Sequence, residues 1–180
     1  CSSDLGDQFD SVMNYWIRAA LIDYLKNGNA TRLNDTLMAV YEDYPEEAFY
    51  ALMNLMGSHD VARAIYVLGG GSDSSERAEL GNYDEHLGKQ RLKLAALFEF
   101  GYAGAPTIYY GDEAGVTGSK DPDCRRTYPW GNEDDSLVSF YEAIGAVREN
   151  NKELFSYGDL TTLYTGTEGV YVYGRSYEDK

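Results

Sequence analysis

A short apolar segment, residues 52–57, ends in glycine and is followed after one serine by His59 and Asp60. Its length and composition are typical of a β-strand buried on both faces, which occurs mainly in parallel sheets covered by helices. In such sheets the carboxyl ends of the strands face the ligand crevice. This segment therefore predicts a parallel α/β fold with a polar site at the end of the strand.

The rest of the chain repeats this alternation of strand and helix. Strands are predicted at 9–15, 52–57 and 107–110, and a β-hairpin at 160–164 and 170–173. Helices are predicted at 16–26, 31–41, from Pro45 onward, and at 61–68, 85–102 and 136–150. Because helices separate the strands, we expect parallel pairing through right-handed crossovers. Residues 111–132 form a predicted loop of a length that is usually functional or disordered.

Composition limits the classes of partner. The apolar fraction of 43% is enough for a hydrophobic core. The net charge of −15 repels polyanions, so we expect no nucleic acid and no anionic membrane as a partner. No apolar run approaches the ~20 residues of a transmembrane helix. The net negative charge is compatible with a neutral ligand.

Metal-cluster and phosphate-loop chemistry have little support in the sequence. The two cysteines, Cys1 and Cys124, and the two histidines are too few and too scattered for a disulfide framework or a zinc site. The glycine-rich segment 69–75 lacks both the lysine and the preceding strand of a phosphate-binding loop. We interpret it as a flexible loop or a turn.

Polar residues follow all three predicted strands. The first strand ends at Asn14-Tyr15, the second at His59-Asp60, and the third at 109–113, before a polar stretch at 120–130. Any one of these sets could simply cap a helix or solvate a loop. Because the ends of parallel strands lie at the same edge of a sheet, the three sets together favour a ligand site.

Four segments resemble the α-amylase family of glycoside hydrolases in order and spacing. They are residues 7–15 (DQFDSVMNY), 57–63 (GSHDVAR), 106–113 (PTIYYGDE) and 121–126 (DPDCRR). The first is most similar to the neopullulanase, cyclomaltodextrinase and maltogenic amylase group. The resemblance covers nearly the whole chain. It implies an α/β fold that is the C-terminal portion, strands six to eight, of a (β/α)8 TIM barrel at 1–152, followed by the start of a C-terminal β-domain at 153–180.

The resemblance also implies the chemistry. The family uses an aspartate nucleophile after strand four, a glutamate acid/base after strand five and a third carboxylate after strand seven. Asp60 matches the third, which stabilises the oxocarbenium-like charge of the transition state. The other two carboxylates would precede Cys1, so Asp10 and Glu113 are not assigned to their roles. We therefore expect the 180-residue chain alone to be inactive.

The same resemblance implies the substrate-binding residues. His59 matches a histidine that hydrogen-bonds the sugar next to the scissile bond. Asp121 and Arg125 match a pair that binds a further glucose unit, although such a pair at this spacing is often only a salt bridge. Asn14 is expected to shape the rim of strand six, and Tyr110 either stacks on a sugar ring or packs in the fold. Arg126 is an alternative to Arg125.

Two departures from the family pattern concern specificity. Trp16-Ile17 stands where Pro-Phe is usual, and Thr127-Tyr128 stands where Pro-Met is usual. Both lie in loops expected to line the substrate site, so they bear on substrate preference and not on the reaction class.

The implied function of the parent protein is retaining hydrolysis of α-glucosidic bonds in maltodextrins, cyclodextrins or pullulan. The alternatives are an oligo-α-glucosidase of the same family and a non-catalytic amylase-like binding scaffold. The expected partner is an α-glucan, and no cofactor is expected from these residues, because the family's calcium ligands lie upstream. Three parallel strands leave sheet edges open, so we also expect the chain to self-associate.

Overall fold

The computed structural model describes residues 11–72, 75–79, 81–166 and 169–178. Its helices are α1 (Tyr15–Asn27), α2 (Ala30–Asp43), α3 (Glu46–Tyr50), α4 (Ala64–Leu68), α5 (Glu85–Gly101), α6 (Asp135–Asn150) and α7 (Lys152–Tyr157), with a 3₁₀ turn at Asp123–Arg125. Its strands are β1 (Met53–Leu55), β2 (Ala105–Thr107), β3 (Asp159–Thr165) and β4 (Tyr171–Ser176). Within these residues, no helix is long and apolar enough to cross a membrane.

Strands β1 and β2 are neighbours in one sheet, and Met13 adds a parallel bridge to Met53. The Met53 amide donates to the Val12 carbonyl at 3.1 Å, and the Asn14 amide donates to the Met53 carbonyl at 2.9 Å. The parallel pairing expected between the first two strands is therefore confirmed at this point. The first predicted strand falls partly on residues 1–10, which lie outside the described part of the chain.

The strand predicted at 107–110 is wrong in position, because β2 ends at Thr107. The β-branched and aromatic composition of this segment favours a strand. However, the Tyr110 carbonyl accepts a hydrogen bond from the buried Arg63 guanidinium and not from a neighbouring strand. Long-range hydrogen bonding has overridden the local preference.

Capping residues set both ends of α1 and the start of α2. The Asn14 side chain accepts a hydrogen bond from the Ile17 amide, and Gly28 ends α1 at φ +74°. Asn29 caps α2 through the Arg32 amide at 2.9 Å, so α2 begins at Ala30, one residue before the predicted start. Helix α3 follows Pro45, as predicted.

The chain divides into two compact units, each assembled from separate stretches. The first comprises Cys1–Asn54, Glu99–Pro106 and Val147–Lys180. In it, α1 and α2 bury Leu21, Leu33 and Leu37, and Tyr102 packs edge-on against Tyr173 at a ring-centroid distance of 5.4 Å.

The predicted hairpin is confirmed as the antiparallel pair β3–β4. Helix α7 was not predicted, and the domain boundary expected at 152/153 stays a prediction.

The second unit comprises Leu55–Phe98 and Thr107–Ala146. Every residue of α4 is buried in it. A Cβ on Gly88 would overlap the Ile65 carbonyl, so a glycine is required where α5 passes this point of α4. Lys89 lies between Glu85 and Asp134, at 2.6 and 2.9 Å, and joins α5 to the segment before α6. This unit contains the loops that follow β1 and β2.

Candidate active site

The buried strand β1 ends in an exposed polar pair. Met56 and Ser58 are each 3% exposed, whereas the side chains of His59 and Asp60 are 54% and 61% exposed. The Ser58 hydroxyl accepts from the Asp60 amide at 3.1 Å and turns the chain outward. His59 Nε2 lies 3.2 Å from Asp60 Oδ1, so the imidazole and the carboxylate are presented to solvent together.

A buried arginine connects this strand end to the loop after β2. The Arg63 guanidinium donates to the Cys124 carbonyl through Nε at 2.7 Å and to the Tyr110 carbonyl through Nη1. The same Nη1 lies 3.0 Å from Asp112 Oδ1. Neither Arg63 nor Asp112 was predicted to have a role. Their position in the sequence could have drawn attention to them, because Arg63 ends the family segment 57–63 and Asp112 lies in the family segment 106–113. Arg63 also directly precedes the apolar residues of α4.

Gly57 makes room for this arrangement. A Cβ at this position would overlap the Asp112 carboxylate and would lie 3.1 Å from the Tyr109 Cβ. The glycine before the polar pair is therefore required for close packing between the end of β1 and the loop after β2.

Two tyrosines lie over the guanidinium. The Arg63 carbon Cζ is 4.1 Å from the ring centroid of Tyr109 and 4.7 Å from that of Tyr110. Burial and a hydrogen bond with Tyr110 raise the pKa of Tyr109 to about 12. The Tyr110 hydroxyl donates to the Arg126 carbonyl at 2.9 Å, and the residue remains 42% exposed. Tyr110 is thus fixed in place but still accessible to a ligand.

Asp121 and Arg125 form an exposed, two-pronged ion pair around the 3₁₀ turn. Arg125 Nε lies 2.8 Å from Asp121 Oδ1, and Arg125 Nη2 lies 3.3 Å from Asp121 Oδ2. The Asp121 side chain is 54% exposed and the Arg125 side chain is 46% exposed. Arg126, the alternative to Arg125, is instead bonded to Asp123 and to the Ala78 carbonyl.

Asp123 holds this loop to the chain before α5. Its carboxylate accepts hydrogen bonds from the amides of Ala78 and Ser119, each at 2.8 Å, and from Arg126. Burial alone would raise the pKa of Asp123, but these bonds outweigh it and hold that pKa below its ordinary value of 3.8. The turn that presents Asp121 and Arg125 is therefore anchored by a charged carboxylate.

Asn14 lies in the first unit, and its side chain is occupied by the fold. Its Oδ1 caps α1, its Nδ2 donates to Asn54 Oδ1 at 3.3 Å, and the residue is 4% exposed. Asn54 in turn donates to the Ala103 carbonyl at 2.7 Å. This position suits a residue that shapes the strand end, and its contact with sugar stays a prediction.

The exposed groups suit recognition of a neutral polyhydroxyl ligand. A carboxylate beside an imidazole can accept hydrogen bonds from hydroxyl groups and stabilise positive charge, and the Asp121–Arg125 pair offers both acceptors and donors. Among the residues that the structure describes, no group of three or more His, Cys, Asp or Glu is placed to hold a metal ion.

Comparison with known proteins identifies the family. Residues 4–158 match the family model of the alpha amylase catalytic domain. The chain is 48% identical over 183 residues to an amylopullulanase of Thermoanaerobacterium thermosulfurigenes, a match covering 95% of this chain and 10% of the relative. It is 36% identical over 179 residues to a cyclomaltodextrinase of Thermoanaerobacter pseudethanolicus, covering 97% of this chain and 28% of the relative.

The structural comparison agrees. The solved structure of a cyclomaltodextrinase matches with a TM-score of 0.80 at 31% identity, covering 97% of this chain and 28% of that one. The chain thus spans between a tenth and about a quarter of the length of these relatives. Its fold is part of the (β/α)8 barrel of these enzymes, as the sequence predicted. The chain belongs to the α-amylase family of glycoside hydrolases, of whose catalytic domain it forms a part.

Proposed function

We propose that the parent protein hydrolyses α-glucosidic bonds in maltodextrins, cyclodextrins or pullulan with retention of configuration, and that this chain supplies Asp60. The observation that supports this most directly is the exposed His59–Asp60 pair at the end of buried β1. In this proposal Asp60 corresponds to the family's strand-seven carboxylate. The names of the relatives, amylopullulanase and cyclomaltodextrinase, agree with a substrate of this class.

Asp60 has the chemistry required of a carboxylate that stabilises charge. Positive charge develops on the sugar ring as the glycosidic bond breaks, and an oriented carboxylate in the rim stabilises it. His59 Nε2 lies 3.2 Å from Asp60 Oδ1, which orients both groups. In this proposal His59 hydrogen-bonds a hydroxyl of the same sugar, and Asp121 with Arg125 binds a neighbouring glucose unit.

We further propose that the 180-residue chain does not hydrolyse glucans by itself. Of the three carboxylates implied by the family resemblance, only Asp60 is matched within these residues. Retaining hydrolysis needs a nucleophile and an acid/base in addition to the stabilising carboxylate. The purified chain should therefore leave maltotriose and cyclodextrin intact.

The test compares Asp60→Asn with Asp35→Asn in the full-length protein. Asp35 is an exposed aspartate on α2 and serves as the matched control. Asp60→Asn should lower kcat by on the order of 100-fold or more without changing the unfolding midpoint, whereas Asp35→Asn should leave both unchanged. Proton NMR of the first product formed should show the α-anomer.

Three results would contradict the proposal. Undiminished hydrolysis by Asp60→Asn would remove Asp60 from the mechanism, and a first-formed β-anomer would exclude retention. Glucan binding without any hydrolysis by the full-length protein would favour the non-catalytic scaffold. Hydrolysis limited to short oligosaccharides would favour the oligo-α-glucosidase.

We also infer that the isolated chain self-associates. Large apolar side chains remain exposed in both units, among them Ile108 at 42%, Val147 at 56% and Leu163 at 63%. Light scattering coupled to size exclusion should give a mass above the 20.1 kDa of one chain. A constant monomer mass across a hundredfold range of concentration would contradict the inference.

A further inference from the structure

The loop after the Asp121–Arg125 pair ends in a turn that displays an aromatic ring. The Trp130 amide donates to the Tyr128 carbonyl at 3.0 Å, and the Asn132 amide donates to the Pro129 carbonyl at 2.8 Å. Gly131 follows Trp130 at φ +77°, which favours glycine. The turn leaves Trp130 81% exposed, more than any other large hydrophobic side chain that the structure describes.

Trp130 is paired with a second ring. The ring centroids of Tyr128 and Trp130 are 4.4 Å apart, with their planes inclined at 46°. The Glu113 carboxylate, in the loop after β2, lies close enough to Tyr128 to raise the pKa of its hydroxyl. The two rings, named here the Tyr128–Trp130 platform, are thus held together by the turn that carries them. Tyr128 is also one of the residues that depart from the family pattern.

The surroundings of the platform favour a neutral ligand. Partial burial and the carboxylates of Glu113 and Glu133 raise the pKa of Tyr128, which shows that negative charge lies beside the rings. Such a surface repels phosphates and other anions. It suits a sugar, whose C–H face packs on an aromatic ring while its hydroxyls donate hydrogen bonds to carboxylates.

We propose that the Tyr128–Trp130 platform binds one glucosyl unit of an α-glucan chain, beyond the unit held by Asp121 and Arg125. The inference rests on the proposed function for its substrate class. Its location supports it, because the platform and the Asp121–Arg125 pair lie on one continuous loop. The Tyr110 hydroxyl fixes that loop between them, at the Arg126 carbonyl. Substitution of Tyr128 would then alter substrate preference without altering the reaction.

The chain contains a built-in reporter for the test. Trp16 and Trp130 are its only two tryptophans, so each single Trp→Phe variant leaves one fluorophore. The structure places Trp16 within α1 and not in a loop, where it lines a cleft between α1 and α2, so Trp16→Phe leaves Trp130 as the reporter. Maltoheptaose titrated into the 180-residue chain should change the emission of the wild type and of Trp16→Phe, and should leave that of Trp130→Phe unchanged.

Calorimetry with the same sugar measures the affinity independently of fluorescence. Trp130→Ala should weaken binding by roughly tenfold or more, and Tyr128→Met by roughly three- to tenfold. Both rings lie on the surface, so the unfolding midpoint should remain that of the wild type. The Asp35→Asn chain should bind as the wild type does, because Asp35 lies on α2 and is not part of the platform.

Any of three outcomes would overturn the inference. The first is no binding by the wild-type chain, and the second is equal affinity in Trp130→Ala. The third is an emission change that depends on protein concentration rather than sugar and disappears in Trp130→Phe, because the platform would then be a contact between copies of this chain. The proposed function is judged separately, by hydrolysis in the Asp60→Asn full-length protein.

Discussion

Arg63 and Asp112 form an ion pair in which both side chains are almost fully buried, at 0% and 3% exposure, with Nη1 and Oδ1 3.0 Å apart. Arg63 follows β1 and Asp112 follows β2, so the pair joins the loop of His59 and Asp60 to the loop of Tyr110. Burying two charges costs free energy that their attraction repays only with good geometry and further hydrogen bonds. The bonds from Arg63 to the Tyr110 and Cys124 carbonyls supply these for Nη1 and Nε, whereas the buried Nη2 has no hydrogen-bond partner among the residues that the structure describes.

Asp112→Asn should destabilise the protein by about 3–5 kcal/mol, because it leaves the Arg63 charge buried and uncompensated. Asp121→Asn removes the acid of an exposed pair and should cost about 1 kcal/mol or less. Urea denaturation followed by circular dichroism measures both values. If both variants lose the same free energy of unfolding, the buried Arg63–Asp112 pair contributes no more to stability than the exposed pair does.

Two glycine-to-alanine substitutions should change the stability of the protein in opposite directions. In Gly57→Ala the new methyl group overlaps the Asp112 carboxylate, so we expect a loss of about 1–3 kcal/mol. In Gly145→Ala, within α6, the methyl group meets no atom within 4 Å, and alanine favours the helix by roughly 0.5–1 kcal/mol. Thermal unfolding of both variants tests the signs. A stable Gly57→Ala protein would mean that the strand end and the Asp112 loop move apart readily.

Features with a local signature could be predicted from the sequence. The His59–Asp60 strand end follows from an apolar run that stops at a glycine, and the helix found at Glu85–Gly101 follows from the spacing of its apolar residues. The hairpin follows from two strand-like runs around a glycine-containing turn. In each case the determining residues lie close together in the chain.

Features that depend on distant contacts could not be predicted. Arg63 and Asp112 are 49 positions apart, and the local pattern of apolar and polar residues around each gives no sign that they pair. The position of β2 was missed for the same reason, because the carbonyl of Tyr110 bonds to Arg63 and not along a strand. The pairing of the Tyr128 and Trp130 rings could not be predicted, because it depends on the geometry of the turn that carries them. The family resemblance located these segments but did not show which residues hold them together.

Asp123 should make stability depend on pH in the acid range. Its folded-state pKa is held below the ordinary value of 3.8, so the unfolded chain takes up the proton first as the pH falls. The stabilisation is therefore complete above that value and is lost as the pH falls through the lowered, folded-state pKa. Asp123→Asn should be less stable than the wild type at neutral pH and should lose less stability on acidification. Unfolding free energies from urea titrations at several pH values measure this, with Asp35→Asn as the control. Parallel profiles for Asp123→Asn and the wild type would contradict it.

Cys124 should be unreactive until the loop opens. The residue is fully buried, and its thiol donates to the His59 carbonyl at 3.4 Å. Burial and the negative charge of Asp121 raise the pKa of the Cys124 thiol, so little of the reactive thiolate forms at neutral pH. In a Cys1→Ser background, Cys124 is the single thiol of the chain. Native protein should react slowly with dithionitrobenzoate, and urea-unfolded protein should react at once.

The labelling rate of Cys124 also reports how firmly the loops after β1 and β2 are joined. Arg63 Nε is bonded to the Cys124 carbonyl, and the same guanidinium is held by Asp112. Asp112→Asn should therefore accelerate labelling, in proportion to the fraction of molecules in which the loop is open. Asp121→Asn, at the exposed pair, should change the rate much less. If the two variants label equally fast, the Arg63–Asp112 pair does not control access to this part of the site, and the loop is held by its own turn.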